Sequence, residues 1–330
     1  MSRTVLDTRS ANPDPPRGRI VLPNVPVRAD FVAANDVRIV CRCIGNQSEG
    51  RRGDLVFFNG LFMGSSSWAD VARNKVLLQQ YRMVFFDYRC QGASSQVSQP
   101  FTLNDVICDV LNLLGSLRLK APVLIGHSFG GILCRLVAAS GALVRDGAND
   151  LSGMVLVNTA ARVPLSLTML FSEVGRVFRR ISKSCHADGA ARSDEATKDM
   201  FRLLIPQLFG EQYLRMIDGF EEELLRGYVE YNHTPAAVAC LIEAVLSKTS
   251  PAKASDVPAS EIKCPVAVVT GAEEKVFPLS YAKELVSELQ NATLHVLDGA
   301  GHSCMVEQRT QFSSVLAGLL RRAHGDPAAA

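Results

Sequence analysis

The sequence is nearly without net charge, has no long apolar run and shows no regular cysteine pattern. Each absence excludes something. Thirty-five Lys and Arg against 33 Asp and Glu leave a formal charge of +2 over 330 residues. No dense basic stripe accompanies that balance, so nucleic acid is excluded as a partner. The longest apolar candidate is broken by Asn158, Arg162 and Pro164, and nothing approaches the roughly 18 apolar residues that a membrane span requires. The nine cysteines are scattered, odd in number and without metal-ligand spacing. Cys41 and Cys43 flank Arg42 on an expected strand, so they share a face and are poorly placed to bond to each other. Free thiols in a reducing compartment are the expectation. The opening MSRTVLDTRSANPDPPRGR carries no apolar segment of the secretory kind, which points to a cytoplasmic protein. On that footing the sequons at Asn46, Asn232 and Asn291 carry no expectation of glycosylation.

What is present is the material of a large core. Hydrophobic residues make up 47% and charged residues 21% of the chain, the balance of an ordinary globular protein. Residues 1–30 are polar and carry Pro13, Pro15, Pro16, Pro23 and Pro26, so a flexible arm is expected there. From residue 31 short Val-, Ile- and Phe-rich runs alternate with helical patterns. Strands buried on both faces are expected at 54–60, 82–88, 121–127, 153–159, 265–271 and 293–299. Helices are expected at about 67–80, 103–118, 129–145, 280–290 and 307–322. That alternation predicts an α/β fold, and a short leading hairpin brings its mostly parallel sheet, flanked by helices, to eight strands. Residues 163–263 break the rhythm with amphipathic segments and no strand signal. A structureless loop that long is implausible in a compact domain, so the expectation is a helical lid inserted after strand 6, with the core formed by 31–162 and 264–323.

The run VLIGHSFGGIL, residues 123–133, interrupts a buried strand with a small polar cluster and then opens a helix. Gly126-His127-Ser128-Phe129-Gly130 fits G-x-S-x-G, the sharp strand-to-helix turn that presents a serine at the edge of a sheet. A serine needs a base to take its proton and an acid to orient that base. Both are expected later in the chain, acid before histidine. His302 lies in the glycine-bounded loop GAGHSCMVEQ between the last strand and the last helix. His127 sits inside the elbow, His186 and His233 in the helical interval, His295 on a strand and His324 in the tail. Glu274, in VVTGAEEKVFP after the penultimate strand, is the candidate acid, with the adjacent Glu273 as the alternative. The developing oxyanion needs two backbone N–H groups, expected from Phe129, just after the serine, and from Leu61, where Gly60 lets the chain approach closely.

These residues resemble the α/β-hydrolase superfamily over about residues 33–322. DYRCQGASS, residues 87–95, is similar to that family's D-x-R-G-x-G-x-S turn, with Cys90 in place of the first glycine. Trp68 stands where the family often has an aromatic residue and is read as core. Asn59-Gly60 replaces the usual His-Gly before the oxyanion loop, making Asn59 and Gly60 pocket candidates. That Asn-Gly also slightly resembles the hydroxyacyl ester synthases of rhamnolipid assembly. Ser128 argues against the branches that use Asp at this position, the haloalkane dehalogenases and epoxide hydrolases.

The resemblance implies a serine hydrolase without cofactor or metal, and the mainly apolar lining offered by the lid points to a small or medium, largely apolar ester, lactone or thioester. Three alternatives stand beside it: an acyltransferase using the same acyl-enzyme, a carbon–carbon bond hydrolase, and a ligand receptor that keeps the triad as a pocket. Arg176, Arg179, Arg180 and Lys183 in the helical interval suit either an acyl-carrier protein or plain solvation. Leu165, Leu167, Met169, Leu170 and Phe171 suit either an acyl pocket or simple packing of the lid. Oligomeric state is not readable.

Overall fold

In the computed structural model the description covers residues 5–8, 30–32, 37–141, 143–145, 148–149, 151–162, 165–188, 190–217, 221–231, 234–247 and 261–325. The strands are β1 (Val5–Thr8), β2 (Asp30–Val32), β3 (Arg38–Gly45), β4 (Gly53–Phe58), β5 (Tyr81–Phe86), β6 (Val123–His127), β7 (Val144–Arg145), β8 (Ala148–Asn149), β9 (Gly153–Val157), β10 (Val266–Gly271) and β11 (Ala292–Leu297). Apart from the small β7–β8 hairpin they form one nine-stranded sheet, in the order β1-β11-β10-β9-β6-β4-β5-β3-β2. Among the described strands of this sheet, the β2–β3 and β3–β5 pairings are antiparallel and the rest parallel.

The sheet has one strand more than the eight expected. β1 comes from the segment read as a flexible arm and pairs in parallel with β11, Val5 opposite Leu294 and Thr8 opposite Leu297. An unpaired edge leaves a row of N–H and C=O groups open, and β1 covers that of β11. The prolines between Pro13 and Pro26 dominate the composition of this region and hide the four-residue strand ahead of them.

β4, β5, β6, β9 and β10 are buried along their whole length, as strands covered on both faces must be. Side-chain alternation sends Leu55 and Phe57 to one layer and Val56 and Phe58 to the other. Phe57 stacks on Phe85 with ring centroids 4.6 Å apart and packs against Trp68 at 5.3 Å. Trp68 is core, as expected.

The covering helices are α1 (Ala69–Ala72), α2 (Lys75–Gln80), α3 (Leu103–Ser116) and α4 (Phe129–Ala139), followed after β11 by α11 (Cys304–Glu307) and α12 (Arg309–His324). Two expected helices are shortened. The one at 67–80 divides at Asn74, whose side chain caps α2 by accepting from Val76 and Leu77 N–H. The one at 129–145 stops at Ala139, because Gly141 takes a left-handed φ of 71°, a common way for a helix to end. Between β9 and β10 lie α5 (Leu165–Asp188), α6 (Ala190–Leu208), α7 (Glu211–Ile217), α8 (Glu221–Tyr231) and α9 (Pro235–Leu246); α10 (Leu279–Glu288) follows β10. α5 packs on α9 and α6, and α6 on α8. No described helix is long and apolar enough to cross a membrane.

The strand order positions the site. From β4 the chain moves to β5 on one side, then crosses to β6 on the other. In open α/β sheets such a reversal leaves a crevice beyond the carboxyl ends of the two strands. Asn59–Leu61 follow β4 and Ser128 follows β6 at that crevice.

Candidate active site

Ser128 is the hinge between β6 and α4, with φ 53° and ψ −119°. A non-glycine residue rarely adopts positive φ, and this one is fixed on both sides. Its N–H donates to Val157 O at 2.8 Å, and the Thr159 hydroxyl donates to its carbonyl at 2.8 Å. The flanking glycines answer a steric demand. A methyl group at Gly130 would lie 2.4 Å from Phe58 O, and one at Gly131 would lie 2.6 Å from the Thr159 methyl.

His302 Nε2 is 2.9 Å from Ser128 Oγ, and His302 Nδ1 is 2.8 Å from Glu274 Oε2. With Glu274 ionised, Nδ1 carries the proton and donates to the carboxylate, leaving Nε2 free to accept from the serine hydroxyl. All three residues are buried. Glu274 is held by four donors: His302 and Asn158 Nδ2 on Oε2, and the Val276 and Phe277 amides on Oε1 at 2.7 and 3.1 Å. Glu273 points elsewhere, accepting from the Glu211 amide at 2.7 Å. Of the two acids left open by the sequence, only Glu274 bonds to His302.

His127 lies beneath the site with its ring centroid 4.8 Å from that of His302. Its Nε2–H donates to His302 O at 2.7 Å. Burial, with His302 close by, pushes His127 down to about 3, so the ring is neutral and acts as a strut.

The loop after β4 reaches the serine because residue 60 is glycine. A methyl group there would lie 2.7 Å from His127 Nδ1 and 3.4 Å from Ser128 Cβ. Among the described residues the amides of Leu61 and Phe129 have no acceptor, and Phe129 is the first residue of α4. Two N–H groups of this kind beside a serine can receive an oxyanion.

Asn59, a pocket candidate, is buried and held at both ends of its side chain. Its side chain donates to Phe86 O at 2.9 Å and accepts from Trp68 Nε1 at 3.0 Å, so it braces the scaffold below the site. Cys90 takes the left-handed conformation that explains a glycine in the similar turn, with φ 68°. In the helical insert, Arg176 pairs with Glu173 at 2.7 Å and Arg179 pairs with Glu243, so these two charges are neutralised locally. Met169 and Leu170 are exposed. Phe171 reaches Phe62 with centroids 6.1 Å apart, and the side chains of Leu165 and Leu167 lie outside the described residues.

Several residues at the site went unread in the sequence. Asn158, at the end of β9 with φ 45°, also donates to Gly301 O at 3.2 Å. Phe62, next to Leu61, packs between Phe178 of α5 and Phe201 of α6, with centroids 6.1 and 5.7 Å away. Asp87 accepts from the Tyr231 hydroxyl of α8 at 2.5 Å. No local pattern marks Asn158 or Phe62, and Asp87, which opens the DYRCQGASS turn, gains its bond to Tyr231 from a distant segment.

The sequence model of the alpha/beta hydrolase family matches residues 55–315, and the chain belongs to that family of enzymes. It is 24% identical over 294 residues to 3-oxoadipate enol-lactonase 2 of Acinetobacter baylyi, covering 89% of this chain and 97% of that protein. In structure it is similar to MGS-M2, an alpha/beta hydrolase enzyme from a Medee basin deep-sea metagenome library. The TM-score is 0.71 at 19% identity, over 87% of this chain and 95% of the other. It is also similar to a thermophilic esterase from Thermogutta terrifontis, with a TM-score of 0.68 at 19% identity, over 89% and 97% of the two chains.

Proposed function

We propose that this enzyme is a serine hydrolase that opens a small or medium, largely apolar ester, lactone or thioester through an acyl-enzyme on Ser128. One observation carries the reading: the unbroken hydrogen-bonded line from Glu274 through His302 to Ser128, on a serine held at positive φ. Similarity to an enol-lactonase supports the substrate class.

Ser128 Oγ attacks the carbonyl carbon while His302 Nε2 takes the hydroxyl proton. The carbonyl oxygen becomes an oxyanion, received by the Leu61 and Phe129 amides. As the bond to the leaving oxygen or sulfur breaks, His302 returns the proton to that atom. Water then loses a proton to His302, attacks the acyl carbon and releases the acid, and Ser128 regains its proton. Glu274 keeps its charge throughout and holds the imidazole in the productive tautomer. α5–α9 serve as a lid, and the aromatic residues Phe62, Phe171, Phe178 and Phe201 favour an apolar acyl group.

The test is a panel of esters, lactones and thioesters of graded acyl length, assayed with and without alcohol acceptors, on the native enzyme and Ser128→Ala. Turnover by the native enzyme alone, with free acid as product, supports hydrolysis. Acceptor-dependent ester formation replaces it with acyl transfer. Turnover retained by Ser128→Ala removes the mechanism.

A further inference from the structure

We infer that Glu307 is a positioning residue that ties the placement of His302 to the seating of the helical insert; the inference rests on the serine-hydrolase reading above. Glu307, in α11, is fully buried. Its Oε2 accepts from the Gly210 amide at 2.7 Å. Gly210 is the joint between α6 and α7. The same carboxylate accepts from the Gly301 amide, 3.0 Å from Oε1 and 3.1 Å from Oε2. Gly301 immediately precedes His302. One side chain therefore holds both the joint of the insert and the loop of the base.

Two further bonds follow the same line. Ser303, on the other side of His302, donates its amide to Leu208 O at 3.0 Å. Glu211 donates its amide to Glu273 at 2.7 Å, one residue from the acid that orients His302. The insert thus grips the His302 loop on both flanks. The groups it contributes to these bonds are all backbone, so substitutions in α6 or α7 leave them in place. Glu307 is the side chain that ties the α6–α7 joint directly to the residue before His302.

A carboxylate suits this position because its two oxygens accept two diverging N–H groups, whereas a glutamine has one acceptor oxygen and sets an NH2 against the second amide. The groups facing Glu307 are acidic: Glu274 and Glu273 from the β10–α10 turn, and the Cys304 thiol on α11. Glu211 turns its own carboxylate to Arg215 at 3.5 Å, and His302 lies beyond Gly301. Burial, reinforced by Glu274, lifts Glu307 to about 7.

The experiment compares the native enzyme with Glu307→Gln and Glu307→Asp by steady-state kinetics across pH, by thermal melting, and by amide hydrogen exchange at Gly210 and Gly301. If Glu307 positions His302, folded Glu307→Gln loses about tenfold to a hundredfold in kcat, the order expected for displacement of a reacting group by about 1 Å, with KM little changed. Its low-pH limb becomes shallower, since the deprotonation of Glu307 no longer contributes to it. Exchange at Gly210 and Gly301 accelerates together, and Glu307→Asp recovers part of the rate. A lowered melting temperature with native kcat and an unchanged pH profile would overturn the inference and leave Glu307 a packing group. Should the native enzyme show no Ser128-dependent turnover, the hydrolase reading fails by itself, and unlinked exchange at the two glycines then refutes the tie independently.

Discussion

Asn158 and His302 donate to the same oxygen of Glu274: the Asn158 side-chain amide and the His302 Nδ1–H both end on Oε2. Asn158 also bonds to Gly301 O at 3.2 Å, so it holds Glu274 and the His302 loop in one frame. Asn is also among the few side chains that accept left-handed backbone readily. Asn158→Ala therefore removes two bonds at once and leaves Oε2 of Glu274 held by His302 alone. The expected result is a fall in kcat of about tenfold, with KM near native, since the variant disturbs alignment and leaves binding alone. Steady-state kinetics on the folded variant checks it.

The neighbouring acids separate cleanly. On the proposed mechanism Glu274 orients His302, and with Glu274→Gln kcat is expected to fall about ten thousandfold, the order seen when a triad acid is made neutral. Glu273→Gln alters a bond to the start of α7 and leaves kcat close to native. Comparable losses in the two variants would contradict the assignment of Glu274.

His127 sets a pH dependence of stability. Its folded value is depressed to about 3 from the ordinary 6.5, so between those limits the unfolded chain binds a proton that the folded chain refuses. Stability therefore falls as pH drops from 6.5 towards 3, by at most about 1.4 kcal/mol per pH unit from this group. His127→Gln keeps a donor for His302 O and cannot titrate. Its melting temperature is expected to vary less steeply over that window than that of the native protein.

The helical insert is pinned at a second point by Tyr231. Its ring occupies space that a methyl group at Gly64 would enter, 2.1 Å from Tyr231 Cε2. Its hydroxyl donates to Asp87 at 2.5 Å. Asp87 also accepts from the Ala93 amide at 3.4 Å, and burial still raises its carboxyl above the usual range. Tyr231→Phe leaves that buried carboxylate short of a donor and is expected to destabilise the protein by about 1–3 kcal/mol. Denaturant unfolding measures the loss.

Legibility followed the range over which each feature is encoded. β4, β6, β9 and β10 were readable because strands buried on both faces are continuous apolar runs, and Ser128 because its elbow lies within five consecutive residues. His302 and Glu274 followed from their order after particular strands. β1 was hidden because four residues pair with a strand almost three hundred positions later. Asn158 meets Glu274 across 116 residues and Tyr231 meets Asp87 across 144, separations at which no local pattern survives. Asn59 was marked by its place before the oxyanion loop, and its bonds to Trp68 and Phe86 O were not readable because both partners lie outside that stretch.

The measurement that tests the central claim most directly is intact-mass analysis after exposure to a fluorophosphonate, on the native enzyme and on Ser128→Ala. An activated Ser128 predicts a single phosphonyl adduct on the native chain and none on the variant. A folded native enzyme that stays unmodified, or a variant that labels equally well, would contradict the assignment of Ser128 as the nucleophile.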